Sequence, residues 1–352
     1  MSEALTMASD SRVIYVDPSY SAFYEDKLFD LSSPVLNRDD QLLPLVRLRD
    51  AAQALGIRMV TADRLAQTTT GGGQYFSLGI VPDFAALHAK DVVPKAYVLM
   101  EPPVVAPGLY ARLPELSQQC ENIFLHNVHG DGYSLDGVRK EALKRFYWPI
   151  PYRGVLDEVW RRGDRTDRVV VINGSHRPLS KVEELYSERI RAIAALEKFG
   201  GADLYGRGWD RLIARCSLWW PALIHRRAIL RAYRGPCDSK FETLSRHTFC
   251  LCFENMCMDG YISEKIFDCF YAGTVPIYLG PRDVTRYIPA DAFVDARAYG
   301  SWKALFEAVR AMTPAEIARK REAAREFMEG DGALPFVHSF EDLMLGSRAV
   351  MS

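Results

Sequence analysis

Short β-branched runs recur along the chain, and the stretches between them carry apolar residues at helical spacing. In the first part the runs are Arg12–Asp17, Arg58–Ala62, Lys95–Met100 and Asn122–Leu125. Leu42–Leu55, apolar at 42, 43, 45, 46, 48, 51, 52 and 55, lies between the first two and is closed by Gly56. Thr68–Gly73 reads as a loop. Strands separated by helices build a parallel sheet covered by those helices, because a parallel pair needs a long crossover. The pattern restarts near residue 168. Strands are expected at Arg168–Asn173, Asp203–Tyr205, Thr248–Glu254, Thr274–Leu279 and Ala292–Asp295, and helices at Glu183–Phe199, Ile262–Ala272, Ser301–Met312 and Pro314–Met328. The expected fold class is α/β, with two Rossmann-like domains facing a cleft. The expected boundaries are a flexible lead-in at 1–11, a first domain at 12–155, a second at 156–335, and a tail at 336–352 that crosses back to the first. Trp148-Pro-Ile-Pro-Tyr152 is the candidate hinge.

Composition narrows the function classes. At roughly 100–200 residues per domain, 352 residues make about two domains. Lys+Arg 44 against Asp+Glu 45 argues against a protein that coats nucleic acid. Seven cysteines with no Cys-x-x-Cys pair read as reduced thiols in a cytosolic compartment, not as a disulfide framework. The first ten residues lack the basic and apolar regions of a signal peptide, and no apolar run approaches the ~20 residues of a membrane span.

The densest chemistry lies at 249–281. An apolar strand runs into a polar loop holding Glu254, Asn255, Asp259 and Tyr261, and a helix follows with Ser263, Glu264 and Lys265 in its first turn. Ligands of open α/β sheets bind at the carboxyl ends of strands. A lysine in a first helical turn is electrostatically misplaced unless an anion shares the site, which suits a phosphate or diphosphate. The same residues also serve as caps and surface groups of an ordinary β-α-β unit, and chemistry alone leaves both readings open.

The segment resembles the signature of the α-1,3-fucosyltransferases, glycosyltransferase family ten, in its bacterial type. The matching residues are Phe253-Glu-Asn255, Tyr261-Ile-Ser-Glu-Lys265 and Ala272-Gly-Thr-Val-Pro-Ile277. Val169–Asn173 with Arg189–Leu196, Asp203-Leu-Tyr-Gly-Arg-Gly208 and Tyr97–Pro103 are similar to further family segments. The likeness is strong over 168–298, fair over 95–155 and weak before 95. It implies a GT-B-like architecture and inverting transfer of L-fucose from GDP-β-L-fucose to a glycan hydroxyl. The expected linkage is α-1,3, to an N-acetylglucosamine or glucose unit.

The resemblance also assigns roles. Lys265 and Arg189 become the diphosphate ligands, with neighbouring Arg191 as the alternative to Arg189. Asn255 and Tyr261 become donor contacts. Glu264 contacts sugar or ribose hydroxyls and stabilises positive charge on the fucose ring, or serves as a counter-ion for a basic residue. Glu254 binds the donor or caps the loop. Glu101 is the expected general base, held at a strand end by Pro102-Pro103. Many family members carry a second Glu two positions on, where this chain has Pro103. The chain has no Asp-x-Asp motif, so no metal and no cofactor are expected, and cationic side chains are left to neutralise the leaving group.

Other features stay open. His126 and His129 have the spacing of two metal ligands without a third and read as a loop near the acceptor side, with Asp131 as a substitute base. Trp219, Trp220, Leu223, Ile224, Ile229 and Leu230 alternate with Arg211, Arg215, Arg226, Arg227, Arg231 and Arg234. That stretch suits a membrane surface or a lipid-linked acceptor, or a helical insert packed on the second domain.

The expected partners are GDP-fucose and an oligosaccharide or lipid-linked glycan, such as a lipopolysaccharide, with peripheral membrane contact and no nucleic acid. The expected place is the cytoplasm, at the inner face of a membrane. Two rival readings are an inverting glycosyltransferase with another nucleotide sugar and a non-catalytic nucleotide- or carbohydrate-binding protein.

Overall fold

A computed structural model describes residues 13–18, 20–68, 71–180, 182–211 and 219–346. The lead-in at 1–11, Arg215 and the end of the tail lie outside them. Two six-stranded sheets form the architecture. The first comprises β1 (Val13–Asp17), β2 (Arg58–Thr61), β3 (Gln74–Ser77), β4 (Val93–Val98), β5 (Asn122–Leu125) and β6 (Leu143–Arg145), in the order β2-β1-β3-β4-β5-β6. The second comprises β7 (Val169–Ile172), β8 (Ala202–Tyr205), β9 (Tyr233–Gly235), β10 (Phe249–Phe253), β11 (Val275–Leu279) and β12 (Val294–Asp295), in the order β12-β11-β10-β7-β8-β9. All neighbours within each sheet run parallel. The two Rossmann-like units expected from the alternation are present.

In the second sheet the chain winds outward from β7 through β8 to β9, then returns beside β7 with β10 and winds the other way. That reversal opens a crevice at the carboxyl ends of β7 and β10, where α/β sheets bind ligands. β10 is buried along its whole length. Cys250 and Cys252 face Ile266, Phe267 and Phe270, while Phe249, Leu251 and Phe253 face Val169, Ile190 and Ile193. A strand apolar on both faces belongs in the middle of a helix-covered sheet.

Several element boundaries differ from expectation. β3, β6 and β9 lie outside the expected strands, and their sequences Gln-Tyr-Phe-Ser, Leu-Lys-Arg and Tyr-Arg-Gly hold no β-branched residue. The expected helix at Glu183 begins at Tyr186, since Glu184 bridges to Met256 instead. It ends at Leu196, and Glu197–Phe199 tighten into a 3₁₀ turn before Gly200. The helix expected from Ile262 starts at Glu264, with Ser263 extended before it. Only Val294–Asp295 of the run at 292–295 is strand, because Ala290–Ala292 form a 3₁₀ turn.

The two sheets are tied together at several places. Asp39 accepts from Ser239 Oγ (2.9 Å) and from the Lys240 amide. Asn127 Nδ2 donates to the Asp259 carbonyl at 3.1 Å, and the Asp259 amide donates to Asp131 at 2.7 Å. Arg145 donates to the carbonyls of His126 and Gly260. The Leu179 amide donates to the Val104 carbonyl at 3.0 Å. Helix Ser339–Met344 places Phe340 and Met344 in the core of the first sheet, with Ile14, Val16 and Phe76.

Candidate active site

The site is assembled where β10 ends. Glu254 follows the strand directly and is fully buried. Its carboxylate accepts from the Ser263 amide (2.9 Å), Ser263 Oγ (2.7 Å), Lys265 Nζ (3.1 Å) and Tyr278 Oη (3.2 Å). Four donors fill its acceptor capacity. Glu254 therefore organises the loop and fixes Lys265. Gly280 makes room for this arrangement, because a Cβ there would lie 2.6 Å from Tyr278 Oη and 2.9 Å from Glu254 Cγ.

Lys265 also donates to Ser263 Oγ at 2.8 Å. Burial would pull its pKa down, but Glu254 and Glu264 outweigh that and hold it above the usual lysine value. Glu264 stands between two cations, with Lys240 Nζ 3.9 Å away on its other side. Burial alone would raise its pKa. Lys265 and Lys240 reverse the sign, so the carboxyl is ionised at neutral pH. Lys240 pairs with Asp268 at 2.7 Å and was not foreseen. It enters only because helix Lys240–Ser245 packs beside helix Glu264–Ala272, a contact without a local sequence signature.

Arg189, in helix Tyr186–Leu196, is buried. Its guanidinium donates to the carbonyls of Phe253 (2.6 Å) and Glu254 (2.9 Å) and lies 5.4 Å from the Tyr186 ring centroid. Its Nε is buried without a partner. Arg191, the sequence alternative, points outward and pairs with Glu188. Asn255 Nδ2 lies 3.4 Å from Tyr261 Oη, and the Asn255 carbonyl accepts from the Leu185 amide. Tyr261 is buried against Val104, Tyr186, Met256 and Met258.

Glu101 comes to the same cleft from the first sheet. It follows β4, and buried Pro102, Pro103 and Val104 fix the loop behind it. Tyr110 Oη donates to its carbonyl at 3.2 Å. Glu101 as a residue keeps contact with solvent, while the cleft around its carboxyl partly desolvates that group. This desolvation, together with Glu264 and Glu254, raises its pKa against the opposing pull of Lys265. The structure thus brings Glu101, Glu264, Lys265 and Arg189 into one electrostatic neighbourhood.

His126 lies in the loop directly after β5, and its side chain is fully buried. It bonds to the Met100 carbonyl at 2.8 Å and packs edge-on to Tyr261, ring centroids 4.9 Å apart. Burial lowers its pKa to about 3, so it is neutral at physiological pH. Asp131, considered as a substitute base, is engaged by the Asp259 amide. Among the described residues no cluster of His, Cys, Asp and Glu has a metal-holding arrangement.

Comparison with known proteins gives the site its context. Residues 177–320 match the C-terminal domain profile of glycosyltransferase family 10 (fucosyltransferase). That range contains Arg189 and the 254–265 cluster but not Glu101. The human 4-galactosyl-N-acetylglucosaminide 3-alpha-L-fucosyltransferase 9 is 44% identical over 61 residues, which is 17% of this chain and 17% of that protein. The Arabidopsis thaliana alpha-(1,4)-fucosyltransferase is 34% identical over 62 residues, 18% of this chain and 16% of that protein. The similar stretch thus spans under a fifth of these relatives' length. Among solved structures, an alpha1,3-fucosyltransferase superposes with TM-score 0.50 at 13% identity, covering 98% of this chain and 92% of that one. A Rickettsia africae glycosyltransferase gives 0.55 at 8% identity over 97% and 99%. An Anabaena HepE in complex with UDP gives 0.54 at 11% identity over 97% and 100%. Identities this low establish the fold, the two-domain GT-B arrangement, and nothing finer. The resemblance to family 10 holds over 177–320.

Proposed function

We propose that this chain is a fucosyltransferase that moves L-fucose from GDP-β-L-fucose to a glycan hydroxyl with inversion. One observation carries the reading. Two cations, Arg189 and Lys265, are gathered at the carboxyl end of β10, and the buried Arg189 Nε has no partner. Glu254 and Glu264 already balance Lys265, whereas Arg189 has no carboxylate ion pair among the described residues, and a diphosphate would supply its guanidinium with one.

Inversion is a single in-line displacement. The acceptor oxygen bonds to the fucose anomeric carbon as the bond from that carbon to the phosphate oxygen breaks. Glu101 takes the acceptor proton, and its raised pKa makes it a stronger base than a free glutamate. Lys265 and Arg189 take up the negative charge that develops on GDP. Ionised Glu264 faces the sugar and favours positive charge on its ring. With cations placed at the leaving group, the step needs no metal. The acceptor is an oligosaccharide or a lipid-linked glycan joined α-1,3, and the reducing cytoplasm suits the buried free cysteines among the described residues.

A donor panel tests the assignment: GDP-fucose, GDP-mannose, UDP-galactose and UDP-N-acetylglucosamine, each with N-acetyllactosamine or no acceptor, in EDTA. Acceptor-dependent GDP release from GDP-fucose alone is expected. The second reading, another nucleotide-sugar donor, is favoured by the likeness to the UDP-bound Anabaena protein. Turnover of a UDP-sugar would establish it in place of the first.

A further inference from the structure

The helix Arg226–Ala232 packs on β8 and on helix Tyr186–Leu196, the helix Trp220–Ile224 packs on helix Tyr186–Leu196, and each buries one face only. Ala222, Ala228, Ile229 and Ala232 are buried. The opposite face places large apolar side chains in water: Trp220 is 71% exposed, Ile224 66% and Leu230 40%. Trp220 and Ile224 are four apart and share a face, as do Arg226 and Leu230. Arg226, Arg227 and Arg231 are exposed around them. Arg231 pairs with Glu197, whereas Arg226 and Arg227 have no ion-pair partner among the described residues. The sequence has no Asp or Glu between Asp210 and Asp238, although the chain as a whole is nearly neutral at net charge -1.

We propose that this face docks on an anionic lipid surface. Exposed apolar side chains cost solvation unless something covers them, and an indole with neighbouring isoleucine and leucine is suited to the boundary between headgroups and acyl chains. Unpaired arginines beside them supply the complementary charge for lipid phosphates, to which guanidinium forks bind well. Neighbouring Trp219 packs against the cleft cluster of Tyr186 and Tyr261, while Trp220, Ile224 and Leu230 face solvent, and the charge and apolar complementarity of this face holds whichever donor the cleft takes. Its consequence is positional, since a docked enzyme would meet lipid-linked acceptors at high local concentration.

Vesicle co-sedimentation of the full chain tests this, with phosphatidylcholine vesicles against phosphatidylcholine containing phosphatidylglycerol, at low and high salt. Binding only to the anionic vesicles, weakened by salt, is expected. Arg226→Gln with Arg227→Gln should weaken it about 30-fold at two unpaired arginines, and Trp220→Ser with Ile224→Ser should abolish it. Both variants alter exposed positions and should keep the wild-type melting temperature and GDP affinity. Equal binding to neutral vesicles, no vesicle binding, or unchanged binding by both variants overturns the proposal. Light scattering showing a dimer that Trp220→Ser dissolves, without vesicle binding, assigns the face to a second copy and also overturns it. Retention of single-stranded DNA without vesicle binding does the same for nucleic acid.

Discussion

Glu101 and Glu264 are both carboxyls at one cleft, and their surroundings push them in opposite directions. Desolvation raises Glu101, while Lys265 and Lys240 hold Glu264 down. Such separation sorts a proton acceptor from a permanent anion. Glu101→Gln is expected to lower kcat by about 10²–10⁴-fold, with GDP affinity unchanged by calorimetry. The base must be ionised, so activity should be present above its pKa and fall as pH drops through it. Because that pKa is raised, the acidic limb should lie above the ordinary glutamate value, and it should disappear in Glu101→Gln. Glu254 acts differently. Its buried carboxylate is held by Ser263, Lys265 and Tyr278, so Lys265→Met removes a cation from a buried pair as well as a phosphate ligand. A loss of about 3 kcal/mol by urea titration, together with a loss of GDP binding, is expected. Loss of GDP binding with unchanged stability would contradict this reading of Glu254.

The strand-to-helix connections are what aim these side chains. At the end of β8, Gly206 has φ +140, and a Cβ there would lie 2.0 Å from the Asn173 carbonyl oxygen at the end of β7. The same oxygen accepts from Trp209 Nε1 at 2.6 Å. Neither backbone can yield without opening the crevice, so Gly206→Ala is expected to cost about 1–3 kcal/mol or more, read from the urea midpoint, with weakened GDP binding. Elements of this kind are legible when they are long or flanked by punctuation. β10 and the helix after it carry five apolar strand residues and Gly273 as a stop, and both emerge close to the expected bounds. β6 and β9 are three residues each, and hydrogen bonding to a neighbouring strand, not their own sequence, makes them strands.

At the scale of the whole molecule, contacts between the sheets decide where the cleft lies. Arg47 of helix Leu43–Ala54 donates to the carbonyls of Ile150, Pro151 and Val337 and pairs with Glu341 at 3.4 Å. One guanidinium thereby joins the first sheet, the inter-sheet segment and the C-terminal helices. Arg47→Met strands three carbonyls and a buried carboxylate. It should lower stability by about 3 kcal/mol or more, seen as a lower midpoint in a single calorimetric transition that melts both sheets together. Two separate transitions in the wild type would show that these ties do not couple the sheets.

The sequence by itself determined the alternation of strands and helices, hence two parallel sheets. It also determined the polar cluster after β10, because local periodicity and adjacent residues carry that information. Glu254, Ser263 and Lys265 are close in the chain, so their meeting needs only one loop. The tertiary structure alone decided that Arg189 rather than Arg191 turns inward, since both lie on one helix and only packing against β10 selects between them. It also decided that Lys240 stands beside Glu264 and that His126 is a buried wedge under Tyr261. Partners such as Lys240 and Glu264, or His126 and Tyr261, are far apart in sequence. Their meeting is paid for by burial of whole sheet faces and leaves no mark at either position.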